Sequence, residues 1–474
     1  MIAIGGSIGT GLFLASGTTI ATAGPLGALL SYCIVGLMVY FLMTSLGEMA
    51  AYLPSAGSFQ TYGARFVDPA FGFALGWNYW FSWAITIAVE LAATAIIMQY
   101  WFPASPGWLW SGLFLLVIVL LNYFSVRGFG EAENWFSLFK VLAITLFILS
   151  GLVMIFGVLI APHNAAAGLR LQAFAPGGAT LSLQTSAFIS VSLIVGFAFQ
   201  GTELIGVAAG EARDPSTSIP RATRQIFWRI MLFYCLSVLV IGLIVPHNDP
   251  ALLRSDMRDI GASPFTLVFE RAGLGMAASL VNAAVLAAVL SCGNSGMFAA
   301  TRMLYSMAQR GMAPAWLGQL SSGGVPRKAL YFTTAIAALC FLSSLAGNAT
   351  VYLWLLNAAG MTGFIAWLGI AVCHYRFRRA LLKQGLDLAC LPYKARWFPL
   401  GPVFAFILCL AIMLGQDYAT LMAARIDWWH VLATYLGIPL FLTFWLGYKL
   451  RYKTRMVLLH EVHFNPQQSL RAGD

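Results

Sequence analysis

Two ionisable side chains lie inside stretches of the sequence that are otherwise almost wholly apolar. Lys140 follows Phe136-Ser137-Leu138-Phe139, and Glu203 ends the stretch Gly196-Phe197-Ala198-Phe199-Gln200-Gly201-Thr202-Glu203. Burying an ionised group without a partner is costly, so such a group binds a proton or pairs with a donor. Because burial favours the neutral amine, Lys140 is a candidate for taking up and releasing protons, unless its flexible stem lets the ammonium reach the surface. Glu203 is a second candidate for proton exchange, with a helix cap as its structural alternative.

Glycine is concentrated in two places along these stretches. Residues 5–11 read Gly5-Gly6-Ser7-Ile8-Gly9-Thr10-Gly11, with four glycines in seven positions, and the residues before Glu203 are flanked by glycine as well. Each glycine costs a helix about 1 kcal/mol relative to alanine, so both stretches are expected to unwind. Freed backbone N–H groups attract a carboxylate and freed carbonyl groups accept from an ammonium, which suits an amino acid. Close helix packing explains one glycine cluster equally well, but two clusters with polar neighbours favour a binding site.

Further aromatic and polar residues in the apolar stretches are candidates for the same site. Rings that could cover the alkyl part of a bound molecule are those of Tyr79, Trp83, Phe197 and Phe199. Packing and interface anchoring are the commoner roles of such rings. Asn294 could contact the site or hydrogen-bond between helices. Glu90 is a weaker candidate for binding a second ammonium of the substrate, and Glu48, with Glu211, is expected to stabilise a cytoplasmic gate.

The composition indicates which elements must position these residues. Of the 474 residues, 60% are hydrophobic and only 9% are charged, whereas soluble domains carry about 25% charged residues. Apolar runs of about 20 residues, enough for a helix to span a bilayer, recur along the chain. Twelve such segments are predicted, at residues 2–23, 27–53, 71–102, 108–126, 135–160, 184–209, 226–246, 274–306, 329–346, 350–373, 398–420 and 430–450. Because they are continuous rather than alternating, we expect an all-α integral membrane fold and exclude a β-barrel.

The charged residues lie mainly in the short connections between these segments. With the N-terminus placed in the cytoplasm, the inner connections hold most Lys and Arg residues, and the outer ones hold Arg170, Arg254, Arg258, Arg271 and Arg425. This asymmetry predicts that both termini are cytoplasmic. The net charge of +10 therefore reflects membrane topology and not a nucleic-acid partner.

The seven cysteines and six histidines have no metal-site or disulfide spacing, so no metal or other cofactor is expected. No cleavage site follows the first apolar run, so no signal peptide is expected.

Several motifs resemble those of the amino acid transporter branch of the amino acid–polyamine–organocation superfamily. The resemblance covers almost the whole chain and rests on residues 5–11 together with Gly47-Glu48, Gly72-Phe73-Ala74-Leu75-Gly76-Trp77-Asn78-Tyr79, Gly128-Phe129-Gly130-Glu131-Ala132-Glu133, Phe199-Gln200-Gly201-Thr202-Glu203-Leu204, Gly210-Glu211 and Gly293-Asn294-Ser295-Gly296. It implies a five-plus-five inverted repeat with broken helices one and six, a fold that the two glycine clusters also favour. It further implies proton-coupled import of an amino acid by alternating access in a bacterial inner membrane. Overall similarity favours L-lysine as the substrate, with protons and the lipid bilayer as the other partners.

The resemblance also implies roles for individual residues. The expected ligands of the substrate carboxylate are Ser7, Gly9, Thr10 and Gly11. Residues 197–203, which include Thr202, are expected to lie opposite them. Lys140 and Glu203 match the positions proposed for proton coupling. Asp256 could influence the access of a cationic substrate, although a solvated loop charge is at least as good an interpretation.

The predicted domain organisation is one transport domain at residues 1–450. It has repeats at about 1–160 and 184–373, two extra helices at about 398–450, and a cytoplasmic tail at 451–474. A permease for neutral or aromatic amino acids on the same fold is the main alternative. An amino acid receptor without transport is a second one. A channel is disfavoured because no repeated filter loop or ring of charges is present, and an enzyme is disfavoured because no nucleophile–base motif is found.

Overall fold

The computed structural model describes residues 6–55, 57–124, 126–160, 185–212, 214–247, 249, 252, 263–416 and 428–464. Within these ranges the regular structure is helical throughout, as the sequence predicts. The α-helices are α1 (Thr10–Phe13), α2 (Ala15–Tyr52), α3 (Ser58–Phe66), α4 (Pro69–Gln99), α5 (Gly107–Phe124), α6 (Val126–Ile160), α7 (Thr185–Phe199), α8 (Leu204–Ala208), α9 (Pro215–Ile244), α10 (Pro264–Arg271), α11 (Gly275–Gln309), α12 (Arg327–Ala337), α13 (Ser343–Ala346), α14 (Asn348–Lys383), α15 (Leu400–Gly415), α16 (Trp428–Tyr435) and α17 (Gly437–Tyr452). Short 3-10 turns lie at Ala209–Glu211, Ala315–Gly318, Ala338–Leu342 and Leu388–Cys390.

Nine helical stretches among the described residues are long and apolar enough to cross a membrane. They are Ala15–Tyr52, Pro69–Gln99, Gly107–Phe124, Trp135–Phe156, Ala187–Val207, Pro215–Ile244, Gly275–Gln309, Arg327–Ala346 and Thr350–Lys383. The sequence predicts twelve segments, and the difference has three local causes. α2 joins the end of segment 2–23 to segment 27–53, with a bend at Gly24, where φ is 72°, directly before Pro25. The helix α15 in segment 398–420 has only 16 residues, and segment 430–450 is divided between α16 and α17.

The helix α4 lies at the centre of the bundle and carries several of the predicted site residues. In the most apolar 18-residue stretch of α4, 94% of the residues are buried. In the corresponding stretch of α5, at the periphery, 22% of the residues are buried. α4 packs against α11 and α14, and α2 packs against α9. The outer faces of α5 and α6 expose large apolar side chains such as Leu116, Leu142 and Val153. Lipid is the environment that such an apolar outer surface fits.

Helical structure is interrupted at two places near the centre of the bundle. Ile8 and Gly9 form a bend before α1, and residues 200–203 form turns between α7 and α8. Gly201 adopts a φ of 95°, in the region that glycine occupies without strain. A Cβ atom at Gly201 would lie 2.6 Å from the carbonyl oxygen of Gly6 and 2.9 Å from the nitrogen of Ser7. The two interrupted segments therefore meet backbone to backbone, and only glycine leaves room for this contact.

The last described residues of the chain pack across one end of the bundle. The Val457 N–H donates to the carbonyl of Val67 at 2.9 Å, just after α3. Gln384 donates from the end of α14 to the carbonyls of Leu459 and Val462, at 3.0 and 2.9 Å. Residues 457–462 thus connect the end of α3 to the end of α14.

Candidate functional site

A small buried cavity lies where the two interrupted segments meet. Its lining residues are Gly6, Ser7, Gly9, Gly11, Trp83, Thr86, Glu90, Phe197, Gln200 and Cys292. Ser7, Gly9, Gly11, Trp83 and Phe197 were all predicted from the sequence to belong to one site, and the structure brings them together. The cavity volume of about 10 Å³ is roughly what a single water molecule needs. An amino acid can occupy this place only after the segments around it move apart.

The Glu90 carboxylate binds the residue that follows the first interruption. Its oxygens accept hydrogen bonds from the backbone N–H of Thr10 at 3.3 Å and from the Thr10 hydroxyl at 3.2 Å. A Cβ atom at Gly9 would lie 2.5 Å from Glu90 Oε1, so the carboxylate fills the space beside the glycine backbone. The Thr10 N–H that was expected to receive a substrate carboxylate is therefore engaged by a carboxylate of the protein in this conformation.

The Glu203 carboxylate is held by donors from three different parts of the chain. It accepts from the Gly201 N–H at 3.0 and 3.1 Å, from the Tyr79 hydroxyl at 3.2 Å and from Trp367 Nε1 at 3.3 Å. Glu203 is buried and stands at the start of α8, but its side chain makes no cap with that helix. It turns back to the interruption instead. Its ionised form is thus hydrogen-bonded, as a buried carboxylate requires.

Tyr234 on α9 links the backbones of both interrupted segments. Its hydroxyl lies 2.7 Å from the carbonyl oxygen of Ser7 and 2.7 Å from that of Ala198. A single hydroxyl proton can be donated to only one of these carbonyls at a time. Sequence reasoning did not identify Tyr234, because a tyrosine in an apolar helix carries no signal of the backbone it will meet.

Lys140 on α6 is fully buried among charged and polar groups. It interacts electrostatically with Glu133 on the same helix, with Cys292 on α11 and with Glu90 on α4. Cys292 Sγ in turn lies 3.1 Å from the carbonyl oxygen of Gly6. Lys140 is therefore close to the groups that line the cavity. Gly5, the first residue of the glycine cluster at residues 5–11, lies outside the described ranges.

Five of the residues predicted to bind substrate do not line the cavity. Thr10 and Tyr79 bond instead to Glu90 and Glu203, and the other three are Phe199, Thr202 and Asn294. Phe199 packs against Tyr234, with ring centroids 4.9 Å apart, and the Thr202 hydroxyl donates to the Phe199 carbonyl at 3.0 Å. Asn294 accepts from Asn122 at 2.8 Å, which is the bonding between helices that the sequence left open as its alternative. The side chains of Phe199, Thr202 and Asn294 thus contact other parts of the protein and not the cavity.

Glu48 lies in a separate buried cluster near the end of α2. Its carboxylate accepts from Nε and Nη2 of Arg378 on α14, the second at 2.7 Å, and from the Ala395 N–H. Nε2 of His374 lies 3.3 Å from Glu48 Oε1. This cluster fastens α2 to α14 and to the loop that follows it. The backbone of Glu211 belongs to a 3-10 turn, but its side chain and the whole of Asp256 lie outside the described part of the chain.

The sequence matches the model of the amino acid permease family over residues 1–461. The lysine-specific permease LysP of Escherichia coli is 61% identical over 464 residues, which cover 98% of this chain and 94% of the relative. The lysine-specific permease LysP of Lactococcus lactis subsp. cremoris is 49% identical, with 98% and 90% covered. The histidine permease HisP of the same organism is also 49% identical, with 99% and 96% covered.

Among solved structures, the crystal structure of the Eremococcus coleocola manganese transporter in complex with an aromatic bis-isothiourea substituted compound has a similar fold. It has a TM-score of 0.56 at 14% identity, and the alignment covers 95% of this chain and 92% of that one. At this identity the likeness concerns the fold alone. Within the described residues, no three His, Cys, Asp or Glu side chains are grouped so as to hold a metal ion.

The apolar helices and the permease relatives together show a multi-pass membrane protein and not an enzyme. The family predicted from the sequence motifs is confirmed, since both the family model and the relatives match almost the whole length. This chain belongs to the amino acid permease family.

Proposed function

We propose that this protein is a secondary active permease that imports L-lysine together with protons by alternating access. The observation that carries the proposal is the contact of the two interrupted segments at Gly6 and Gly201, beside a cavity that Glu90 lines. The sequence identity of 61% to a lysine-specific permease favours lysine as the substrate. The membrane is the bacterial inner membrane, with both termini in the cytoplasm, as the Lys and Arg asymmetry favours.

The proposed architecture has twelve spans, of which the first ten form two inverted repeats. The interruptions at residues 8–9 and 200–203 stand in the first and sixth spans, which are corresponding positions of the two repeats. Such paired interruptions are the usual place of the substrate in inverted-repeat transporters. The kink at Gly24 separates the first span from the second.

Substrate binding is proposed to replace contacts that the protein makes with itself. The substrate carboxylate binds the backbone of residues 7–11, and it displaces the Glu90 carboxylate from Thr10. Glu90 is then released to pair with an ammonium of the bound lysine. Trp83 and Phe197, both in the cavity lining, pack along the alkyl chain. Because the closed cavity is too small for an amino acid, binding must separate residues 6–7 from residue 201. That separation is the movement that alternating access requires.

Proton coupling is proposed to use Lys140 and Glu203. Lys140 lies beside the Glu90 side of the cavity, and Glu203 holds the second interruption through the Gly201 N–H. A protonated Glu203 accepts hydrogen bonds from Gly201, Tyr79 and Trp367 less strongly than the carboxylate does. Protonation of Glu203 therefore loosens the second interruption, and this links the proton to the geometry of the site.

Histidine is the second candidate substrate, because one observation favours it. The histidine permease HisP and the lysine-specific permease LysP of Lactococcus lactis subsp. cremoris are equally identical to this chain, at 49%. Identity at that level does not separate the two specificities. The residues of the first interruption would bind the carboxylate of either amino acid.

Uptake of labelled lysine into proteoliposomes tests the proposal. With an acidic exterior and a neutral interior, we expect accumulation of lysine that collapses when a protonophore is added. An excess of unlabelled lysine should abolish uptake of the label, and an excess of histidine should leave most of it. If histidine competes as well as lysine does, the chain is a broader cationic or aromatic amino acid permease. If lysine binds but never enters the vesicles, the receptor alternative is correct.

A further inference from the structure

Glu133 is a buried carboxylate to which the proposed function assigns no role. It lies on α6, its side chain is fully buried, and both of its oxygens have partners on α11. The Ser291 hydroxyl donates to Oε1 at 2.7 Å, and Asn294 Nδ2 donates to Oε2 at 3.3 Å. Both donors are neutral, so they stabilise the carboxylate without cancelling its charge. A buried negative charge of this kind requires a positive partner.

The positive partner is Lys140 on the same helix. The two residues are seven positions apart, which is two helical turns, so their side chains project from one face about 10 Å apart along the axis. Their charges interact in the folded protein. Glu133 comes earlier in α6, and in the proposed topology it therefore lies on the cytoplasmic side of Lys140.

The same segment of α11 also connects Glu133 to the cavity. Ser291 and Asn294 bind Glu133, while Cys292 between them bonds to the carbonyl of Gly6 and lines the cavity. Asn294 is further fixed by a hydrogen bond from Asn122 on α5. The position of the carboxylate is thus determined by α11 and α5, independently of the flexible lysine stem.

Three titratable groups act on Lys140 from the elements around it. Glu133 belongs to α6 itself, Glu90 to α4 and Cys292 to α11. The Tyr234 phenol on α9, the other long helix packed on α6, interacts with Glu90 and Cys292. Of the two carboxylates, Glu90 bonds to the first interruption, where the proposed substrate binds. Glu133, by contrast, does not line the cavity, and its hydrogen bonds come from Ser291 and Asn294, so it can stay in place when the substrate arrives.

We propose that Glu133 is a positioning residue for proton coupling, which acts as the fixed counter-charge that keeps Lys140 protonated. This inference rests on the proposed proton-coupled function. While Glu90 changes partners as substrate binds and leaves, Glu133 supplies a constant negative charge from the cytoplasmic side. Without that charge, protonating the Lys140 amine becomes less favourable, and a more acidic exterior is needed to load the carrier with its proton.

The test is the dependence of lysine uptake on external pH, between about pH 5 and 8, in proteoliposomes. Glu133→Gln keeps the shape and one hydrogen-bonding oxygen but removes the charge. We expect the pH of half-maximal uptake to move about one unit or more toward acid, the usual effect of a nearby opposite charge. Glu461→Gln, the same change at a glutamate in the C-terminal segment, is the matched control and should leave the midpoint unchanged. In a Lys140→Ala background, where uptake should be nearly independent of pH, Glu133→Gln should leave the flat pH profile unchanged, because the partner is gone.

The outcomes distinguish this inference from the function on which it rests. If uptake by the unmodified protein does not respond to a pH gradient, the proposed proton coupling fails. If the unmodified protein responds and Glu133→Gln has the same midpoint, the role of Glu133 fails alone. Size-exclusion profile and lysine binding report whether the variant is folded. Should Glu133→Gln not fold, Glu133→Asp replaces it: a retracted carboxylate should move the midpoint a few tenths of a unit toward acid, roughly, and an unmoved midpoint overturns the proposal.

Discussion

The backbone of Gly201 lies against the backbone of Gly6, so closely that a single Cβ atom on Gly201 would come within 2.6 Å of the Gly6 carbonyl oxygen. The two residues are almost two hundred positions apart, and each belongs to an interrupted helical segment. Glu203 and Tyr234 fasten this junction from two directions, since each bonds to the backbone next to it. Opening the cavity between the segments requires this junction to separate.

We predict that Gly201→Ala lowers lysine uptake at least about tenfold, because the methyl group cannot fit against residues 6–7 and the closed state is lost. The initial rate of uptake into proteoliposomes measures this. Gly385→Ala is a matched control, since Gly385 also has a positive φ, of 69°, but an added Cβ there would meet nothing within 4 Å. The Gly385→Ala variant has the same kind of backbone strain, roughly 1–2 kcal/mol, but no clash. Equal losses of uptake in both variants would mean that strain and not the contact matters.

The hydrogen bonds of Glu203 lead to a graded prediction. Glu203→Gln removes the carboxylate proposed to exchange a proton, and we expect proton-driven accumulation of lysine to disappear. Tyr79→Phe and Trp367→Phe each remove one donor to the carboxylate, and each should reduce uptake by about tenfold, since a hydrogen bond to a charged group contributes about 1.5–3 kcal/mol. Accumulation ratios at equal pH gradients compare the three variants. Normal accumulation by Glu203→Gln would remove Glu203 from the mechanism.

Lys140 is expected to control the pH dependence of transport more than the binding of substrate. In Lys140→Ala we predict that uptake becomes nearly independent of pH, while the affinity for lysine changes by less than about tenfold. Lysine does not have to contact Lys140, which does not belong to the cavity lining. Uptake and equilibrium binding should be measured on the same preparation. A pH profile like that of the unmodified protein would leave Lys140 with a structural role.

The sequence predicts the stretches that come together, but not every side chain that faces the cavity. Glycine content identifies residues 5–11 and 196–203 because unwinding is a local property, and the interruptions fall inside both stretches. The direction in which a side chain points, however, depends on the packing of distant segments. Phe199 ends α7 and Thr202 stands in the second interruption. They face Tyr234 and the local backbone, because a helix end followed by a turn has no periodicity that predicts which side faces the cavity.

The partners from distant helices could not be predicted for a related reason. A helix that is apolar on all sides gives no preferred face, so Trp367 and Cys292 look like ordinary membrane residues in the sequence. The position of Glu133 could have been predicted, because an acidic residue seven positions before a buried lysine lies on the same helix face. The sequence makes Glu90 a weaker candidate for binding the side-chain ammonium of the substrate, and the structure adds its bond to Thr10.

Asp68 at the start of α4 provides a prediction about stability that is independent of transport. Its carboxylate accepts from the Ala70 N–H at 2.8 Å, from Lys449 Nζ at 2.8 Å and from the Thr454 hydroxyl at 2.6 Å. Burial alone would raise the pKa of Asp68, but these hydrogen bonds and the charge of Lys449 outweigh it and lower the pKa. The folded state thus favours the ionised form, and the bonds tie α4 to the end of α17.

Because the pKa of Asp68 is lower in the folded than in the unfolded chain, its stabilising effect is present above the unfolded value of about 4 and fades as the pH falls through the folded value. Asp68→Asn should therefore lower the free energy of unfolding at pH 7 by about 1–2 kcal/mol, and the deficit should shrink toward pH 3. Thermal unfolding in detergent, followed by tryptophan fluorescence, measures both. Asp387→Asn is the control, since the exposed Asp387 accepts an equivalent backbone bond from Ala389 at 2.8 Å but lies on an exposed turn. An Asp68→Asn deficit that is constant with pH would contradict an ionised Asp68, because a neutral group loses nothing on acidification.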